Sequence, residues 1–306
     1  MDQSRRKFIG QVAGATGLAL FSKSALAARI ADASWFEISL AEWSLHKTLF
    51  AKKLTNLEFP EVTRKKFGIG IVEYVNQFFK DKAEDTKYLN ELLKRCKDNN
   101  VRNHLIMIDG EGDLGNTNDA ERKKAVENHY RWVHAAKHLG CASIRVNAYG
   151  VGSAEDVAKA AVQGLGAVGE YAAKENINVI VENHGSYSSD GQWMSKVLKE
   201  VNKPNVGMLP DFGNFCIKWA NGYTSCEQEY DRYKGVTELM PFAKGVSAKT
   251  NNFDDQGRCI ETDYDKMMKI VKDSGFKGIV GIEYEGDKLS EEEGILKTKQ
   301  LLERYL

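Results

Sequence analysis

This chain lacks an excess of charge of either sign: 43 Lys and Arg residues are matched by 43 Asp and Glu residues over 306 positions. With no basic excess, nothing attracts a phosphate backbone, which argues against a nucleic-acid partner. Past the N-terminal segment, no stretch reaches the roughly 18 apolar residues that span a bilayer, so no stable membrane insertion is expected. There is no Gly-x-Gly-x-x-Gly turn to open a dinucleotide-binding sheet, and no glycine-rich loop to cradle a phosphate. Long linkers and low-complexity tracts are also missing, which leaves one continuous domain.

Five cysteines, Cys96, Cys141, Cys216, Cys226 and Cys259, form an odd set without a C-x-x-C pair. The spacing predicts neither a zinc framework nor a disulfide scaffold. Cys96 and Cys141 fall in apolar stretches and read as small buried hydrophobes.

The first 27 residues read as an address. Ser4-Arg5-Arg6-Lys7-Phe8-Ile9 precedes a mildly apolar stretch at 12–21, and Ala25-Leu26-Ala27 supplies a small-residue cleavage site. The paired arginines mark a twin-arginine export signal, implying the export machinery as a partner and a periplasmic location. Glycines Gly10, Gly14 and Gly17 weaken the competing reading as a packed helix. Cleavage removes Arg5, Arg6, Lys7, Lys23 and Asp2, leaving a mature chain at 28–306 with a net charge of about −3. This route carries folded proteins, and a cofactor loaded before export fits it.

With 42% hydrophobic and 28% charged residues, the full chain has an ordinary globular composition. Apolar runs at 36–41, 70–75, 101–108, 143–147, 177–181, 206–210, 243–248 and 278–283 alternate with amphipathic segments. Asn118 with Glu121 and Ser290 with Glu293 have capping-box spacing, and Gly68, Gly140 and Gly275 fall where helices should stop. Apolar strands alternating with helices require a parallel sheet covered by helices. Eight such units predict an α/β fold, a single-domain (β/α)8 TIM barrel.

In such a barrel the functional groups stand at the C-terminal ends of the strands. Those ends read Val-Ile-Val-Glu182-Asn-His184, Met-Leu-Pro-Asp211-Phe-Gly, Gly-Val-Ser247-Ala-Lys249 and Gly-Ile-Glu283-Tyr-Glu285. Trp43, Ser44 and His46 follow the first strand, Glu73 and Asn76 end the second, Asp109 and Glu111 follow the third, and Arg145 and Asn147 occupy the fourth. Period two puts Glu182 with His184, Arg145 with Asn147, Ser247 with Lys249 and Glu283 with Glu285 on shared faces. Glu182, Asp211 and Glu283 are therefore expected to gather around one divalent cation. Oxygen ligands favour Mn²⁺, Mg²⁺ or Co²⁺, and an added imidazole admits Zn²⁺.

With these motifs the chain from Trp35 onward resembles the xylose-isomerase-like barrels known as sugar phosphate isomerases/epimerases, including tagatose epimerases and inosose dehydratases. The residues that carry the likeness are Val-Glu182-Asn-His184, Leu-Pro-Asp211-Phe-Gly-Asn214, Val-Ser247-Ala-Lys249 and Ile-Glu283-Tyr-Glu285-Gly. The resemblance implies a cation held by Glu, Asp, His and Glu. Glu182, Asp211 and Glu283 match that set, but Ser247 stands where the family histidine is expected, so His184 or water fills the fourth position or metal binding is weakened. Asn214 likewise replaces a family histidine and can hydrogen-bond a hydroxyl but not shuttle a proton.

The expectation is a metal-dependent enzyme that removes a proton next to the carbonyl of a sugar or keto-sugar and passes through an enediolate. Glu182 and Glu283 are base and conjugate acid, Lys249 and Arg145 stabilise charge, and His46, Glu73, Asn147, His184, Asn214 and Ser247 meet hydroxyls. A keto-glycoside lyase or dehydratase and a non-catalytic periplasmic sugar-binding protein are the alternatives, and a homo-oligomer is left open. The related abasic-site endonucleases need many histidines, and six, three of them on one helix, argue against that branch.

Other conspicuous residues have bland readings. His129, His134 and His138 are expected on or just under an outer helix surface, away from any metal. His104 is either a core histidine or a site residue. Phe78, Phe79, Trp193, Phe212, Phe215 and Trp219 divide between core and sugar-pocket wall. Glu291, Glu292 and Glu293 read as the solvated first turn of a helix.

Overall fold

The computed structural model describes residues 34–222 and 224–306. The twin-arginine segment lies outside them. Eight parallel strands build the barrel: β1 (Phe36–Ala41), β2 (Ile71–Val75), β3 (Arg102–Met107), β4 (Ser143–Val146), β5 (Asn178–Glu182), β6 (Val206–Leu209), β9 (Val246–Thr250) and β10 (Gly278–Tyr284). They pair in the order β6-β5-β4-β3-β2-β1-β10-β9. The two free edges then meet: Met208 bridges Ala243 and Asp211 bridges Ser247. Lys244 N donates to Met208 O at 2.9 Å and Ser247 N to Pro210 O at 2.9 Å. Closure joins the two edges of the barrel sheet and brings β5, β6, β9 and β10 side by side.

The helices form the outer ring: α1 (His46–Phe50), α2 (Phe59–Phe67), α3 (Thr86–Asp98), α4 (Asp119–Leu139), α5 (Ala154–Lys174), α6 (Gly191–Val201), α7 (Arg232–Leu239), α8 (Tyr264–Asp273) and α9 (Glu291–Leu302). Asn118 caps α4 by accepting from the amides of Ala120 and Glu121. Ser290 and Glu293 make the full capping box that starts α9. Gly68 and Gly140 end α2 and α4 in the left-handed conformation that glycine adopts without steric cost. A large apolar layer packs between strands and helices. Ala41, Val75, Leu105, Met107, Ile180 and Leu209 fill the barrel, with Trp43 and Phe78 against them. No helix among the described residues is long and apolar enough to cross a membrane.

One element departs from the simple alternation. Between β6 and α7 the chain forms an antiparallel hairpin, β7 (Cys216–Ala220) with β8 (Ser225–Glu229), tied by a Cys216–Cys226 disulfide. The cysteine reading is corrected here: a parity count cannot see two cysteines that a hairpin brings within bonding reach. Cys96, Cys141 and Cys259 are free and buried.

Candidate active site at the barrel mouth

Glu182 ends β5, Asp211 lies two residues past β6, and Glu283 is the penultimate residue of β10. All three are buried, and one oxygen from each lies within 4.8 Å of the others. Ser247, on β9 between them, points its hydroxyl at Asp211 Oδ2 (2.7 Å) and Glu283 Oε2 (3.2 Å). Its single proton can serve only one at a time.

Backbone geometry fixes Asp211 tightly. Its Oδ1 accepts from the amides of Gly213 and Asn214, both at 2.8 Å. The Asn183 amide accepts from Asp211 N at 2.8 Å and donates to Asp211 O at 2.9 Å, tying the end of β5 to the end of β6. The sequence reading passed over Asn183 as the spacer in Glu182-Asn-His184. Its signal was a buried amide beside a closing strand.

Two cations stand in the cluster. Lys249 Nζ donates to Glu285 Oε2 (2.8 Å) and Asn214 Oδ1 (3.3 Å) and forms an ion pair with Glu283 Oε1 (3.0 Å). Asn214 also donates to Glu182 Oε1 at 3.1 Å. Arg145 donates from Nη1 to Asp109 Oδ1 at 2.8 Å, and Asn147 donates to that same oxygen at 2.7 Å. Arg145 Nε lies 2.9 Å from Glu182 Oε2, but neither atom finds a hydrogen-bond partner in good geometry. We read this contact as charge pairing only, with Glu182 Oε2 an orphaned buried acceptor.

These surroundings pull the acids apart. Burial pushes Glu182 up to about 7, with Arg145 opposing and Glu283 reinforcing the rise. Burial likewise lifts Asp211 to about 7 against the field of Lys249. Burial works against ionised Asp109 and Glu285 too, but Arg145 holds the first down to about 2 and Lys249 holds the second down to about 2. Despite burial, Lys249 is held well above its ordinary value by Glu283 and Asp211, and Arg145 is raised by Asp109 and Glu182.

Five carboxyls, Asp109, Glu182, Asp211, Glu283 and Glu285, thus face two basic groups. The excess negative charge in a buried site is what a divalent cation would neutralise. The three converging oxygens and the orphaned Glu182 Oε2 fit a hard cation held by Glu182, Asp211 and Glu283. Ser247 supplies a hydroxyl where an imidazole ligand was expected.

Several expected site residues take other places. His184 does not join the three carboxylates; its Nδ1 pairs with the Tyr149 hydroxyl, which also lies 2.6 Å from the His184 carbonyl. It lines the surface cleft beside the loop that follows β4. Burial, then Arg145 and Lys249, depress its pKa. His46 hydrogen-bonds the Trp43 carbonyl at 2.7 Å and stacks on the Trp43 ring, whose Nε1 donates to Glu285. Glu73 sits in the barrel interior, 1% exposed, accepting from Ser39 at 2.6 Å and facing Gly281. Period two puts Gly281 one layer below Glu283, so Glu73 lies beneath the mouth and not at it. Glu111 turns outward to Arg131 and Trp132.

The remaining residues sort by burial. His134 and His138 are exposed. His129 is instead buried, its Nδ1 paired with Ala125 O at 2.7 Å, because that face of α4 packs on the barrel. His104 is a core histidine near the opposite end, depressed to about 4 by burial and Arg102. Phe79, Phe212 and Phe215 are core, whereas Trp219 is 44% exposed. Glu291 is not solvated: its carboxylate accepts from the amides of Lys47 (2.7 Å) and Thr48 (3.1 Å) at the start of α1.

A profile of the family described as xylose isomerase-like TIM barrel matches residues 64–305. No curated protein matches the chain. Similar solved structures include IOLI protein with a binding zinc atom (14% identity, TM-score 0.66, covering 88% of this chain and 99% of that one). Also similar are 3-keto-D-glucoside 4-epimerase from E. coli (13%, 0.62, 88% and 99%) and a probable 3-DHS dehydratase involved in petrobactin synthesis from Bacillus anthracis (15%, 0.63, 87% and 98%).

Proposed function

The chain belongs to the xylose isomerase-like TIM barrel family, and from that premise we propose that it is a carbohydrate isomerase or epimerase that moves a proton on a carbon next to a carbonyl. The observation that carries this reading is the convergence of Glu182, Asp211 and Glu283 within 4.8 Å. Those three residues would hold a divalent cation, which when bound supplies Lewis-acid polarisation of a carbonyl oxygen.

The chain's own groups account for the rest. Each carboxylate needs only one oxygen for the cation, leaving a second for proton transfer. Glu182, buried and with its Oε2 free of any hydrogen bond, suits a base that takes a proton and returns it. Glu283, reaching the mouth from the far side of Asp211 and Ser247, delivers a proton to the opposite face of the carbon. Lys249 and Arg145 stabilise negative charge as it develops on the substrate oxygens. Asn147, Asn214 and His184 have the donors and acceptors to orient hydroxyls. Return to the other face of the carbon gives an epimer, and return to the neighbouring carbon gives an isomer.

A second outcome, elimination of a β-substituent from the same enediolate, is supported by the structural likeness to the probable 3-DHS dehydratase. Periplasmic location remains the reading of Arg5-Arg6, supported by the Cys216–Cys226 disulfide, since such bonds persist in oxidising compartments.

The test is NMR in D₂O with keto-sugars and keto-glycosides. Deuterium should enter the carbon next to the carbonyl with the wild type and not with Glu283→Gln. An unsaturated product assigns elimination. Undiminished ligand affinity in Glu283→Gln, with no exchange in either protein, would leave only a sugar binder.

A further inference from the structure

The disulfide-tied hairpin is not needed to close the barrel or to place the carboxylates. It walls a cleft of about 610 Å³ beside the site, together with the loops after β4 and β5. Tyr149 and His184 line that cleft and also lie in the fields of Arg145 and Asp109, so cleft and carboxylate site share a wall. Its volume falls within the range of about 300–1,000 Å³ usual for small-molecule pockets, which leaves room for a group beyond the reacting ring.

The cleft has a different chemistry from the mouth. Ile217, Ala220, Val151 and the Trp219 ring give it apolar surface, while Lys218, one of its two charged residues with Asp113, is paired with Glu227 at 2.6 Å. Trp219 is held in register opposite Cys226, and Cys226 is bonded to Cys216, so the ring is carried on a braced support. A neutral ring with an apolar face is the ligand such a wall takes, and a pyranose presents one in its axial C–H bonds.

We propose that this cleft is a subsite for the aglycone unit of a glycoside, a second pyranose stacked on Trp219, and that the enzyme acts on keto-disaccharides in preference to free keto-monosaccharides. The inference rests on the carbonyl-directed reading of the carboxylate site.

The test compares kcat/KM for deuterium exchange or product formation on a keto-monosaccharide and a keto-disaccharide, with direct binding of the disaccharide by calorimetry. The wild type should favour the disaccharide at least tenfold. Trp219→Ala should lower its kcat/KM and affinity roughly three- to tenfold while leaving the monosaccharide rate unchanged, and Trp219→Phe should restore most of the loss. Equal use of both substrates, or a Trp219→Ala loss of equal size on both, overturns the subsite and leaves the carbonyl chemistry standing. Trp219-dependent disaccharide binding without turnover of either substrate keeps the subsite and removes the chemistry. No disaccharide binding by the wild type overturns the subsite.

Discussion

Glu73 shows what depth does to a residue legible only as an acid at a strand end. Burial raises it to about 7, with Ser39 opposing and Glu283 and Glu182 reinforcing the rise, and its Oε2 has no partner. Unfolded, the carboxyl ionises near its ordinary value of 4.5, so between about 4.5 and 7 the native state holds more protons than the unfolded state. Stability contributed here is full below that window and is lost as pH rises through it. Wild type should lose about 2–3 kcal/mol more between pH 5 and pH 9 than Glu73→Gln does, measured by urea denaturation at both values. Equal losses would show that Glu73 stays ionised in the fold. At this scale the sequence exposed Glu182, Asp211, Lys249 and Glu283, because each closes an apolar run. It could not rank Glu73 below them or turn His184 toward Tyr149, since depth and rotamer depend on neighbouring strands.

The hairpin is the element the alternating pattern concealed. Its second strand, Ser225–Glu229, is exposed at every position, so it has no apolar face for period-two reading to detect. The disulfide and cross-strand pairing hold it together in place of a core. Reduction, or Cys226→Ser, should raise amide hydrogen exchange across β7 and β8 and leave the barrel strands protected; uniform deprotection would mean that the bond braces the whole fold. The barrel strands depend instead on tight interior fit. A Cβ on Gly281 would come within 2.8–2.9 Å of the Glu73 carboxylate oxygens, so Gly281→Ala should cost roughly 1–3 kcal/mol through overpacking. An unchanged melting temperature would mean that Glu73 moves aside freely.

For the whole molecule, eight strand–helix units were readable because a closed parallel barrel buries both strand faces and leaves near-continuous apolar runs. The particular contacts that close it, Met208–Ala243 and Asp211–Ser247, were not readable, since they are single bridges between residues distant in sequence and strand periodicity does not record such pairings. The same closure sets Asp211 beside Ser247 and so assembles the site. At this scale Arg5 and Arg6 are expected to direct the chain, and replacing both with Lys should retain it in the cytoplasm on cell fractionation; unchanged export would remove the twin-arginine reading. The central claim is the cation held by Glu182, Asp211 and Glu283, and titration of Mn²⁺ into chelator-stripped protein by calorimetry addresses it most directly. One site per chain, lost in Asp211→Asn, is the predicted result; no heat of binding in the wild type, or the same affinity in Asp211→Asn, would contradict it.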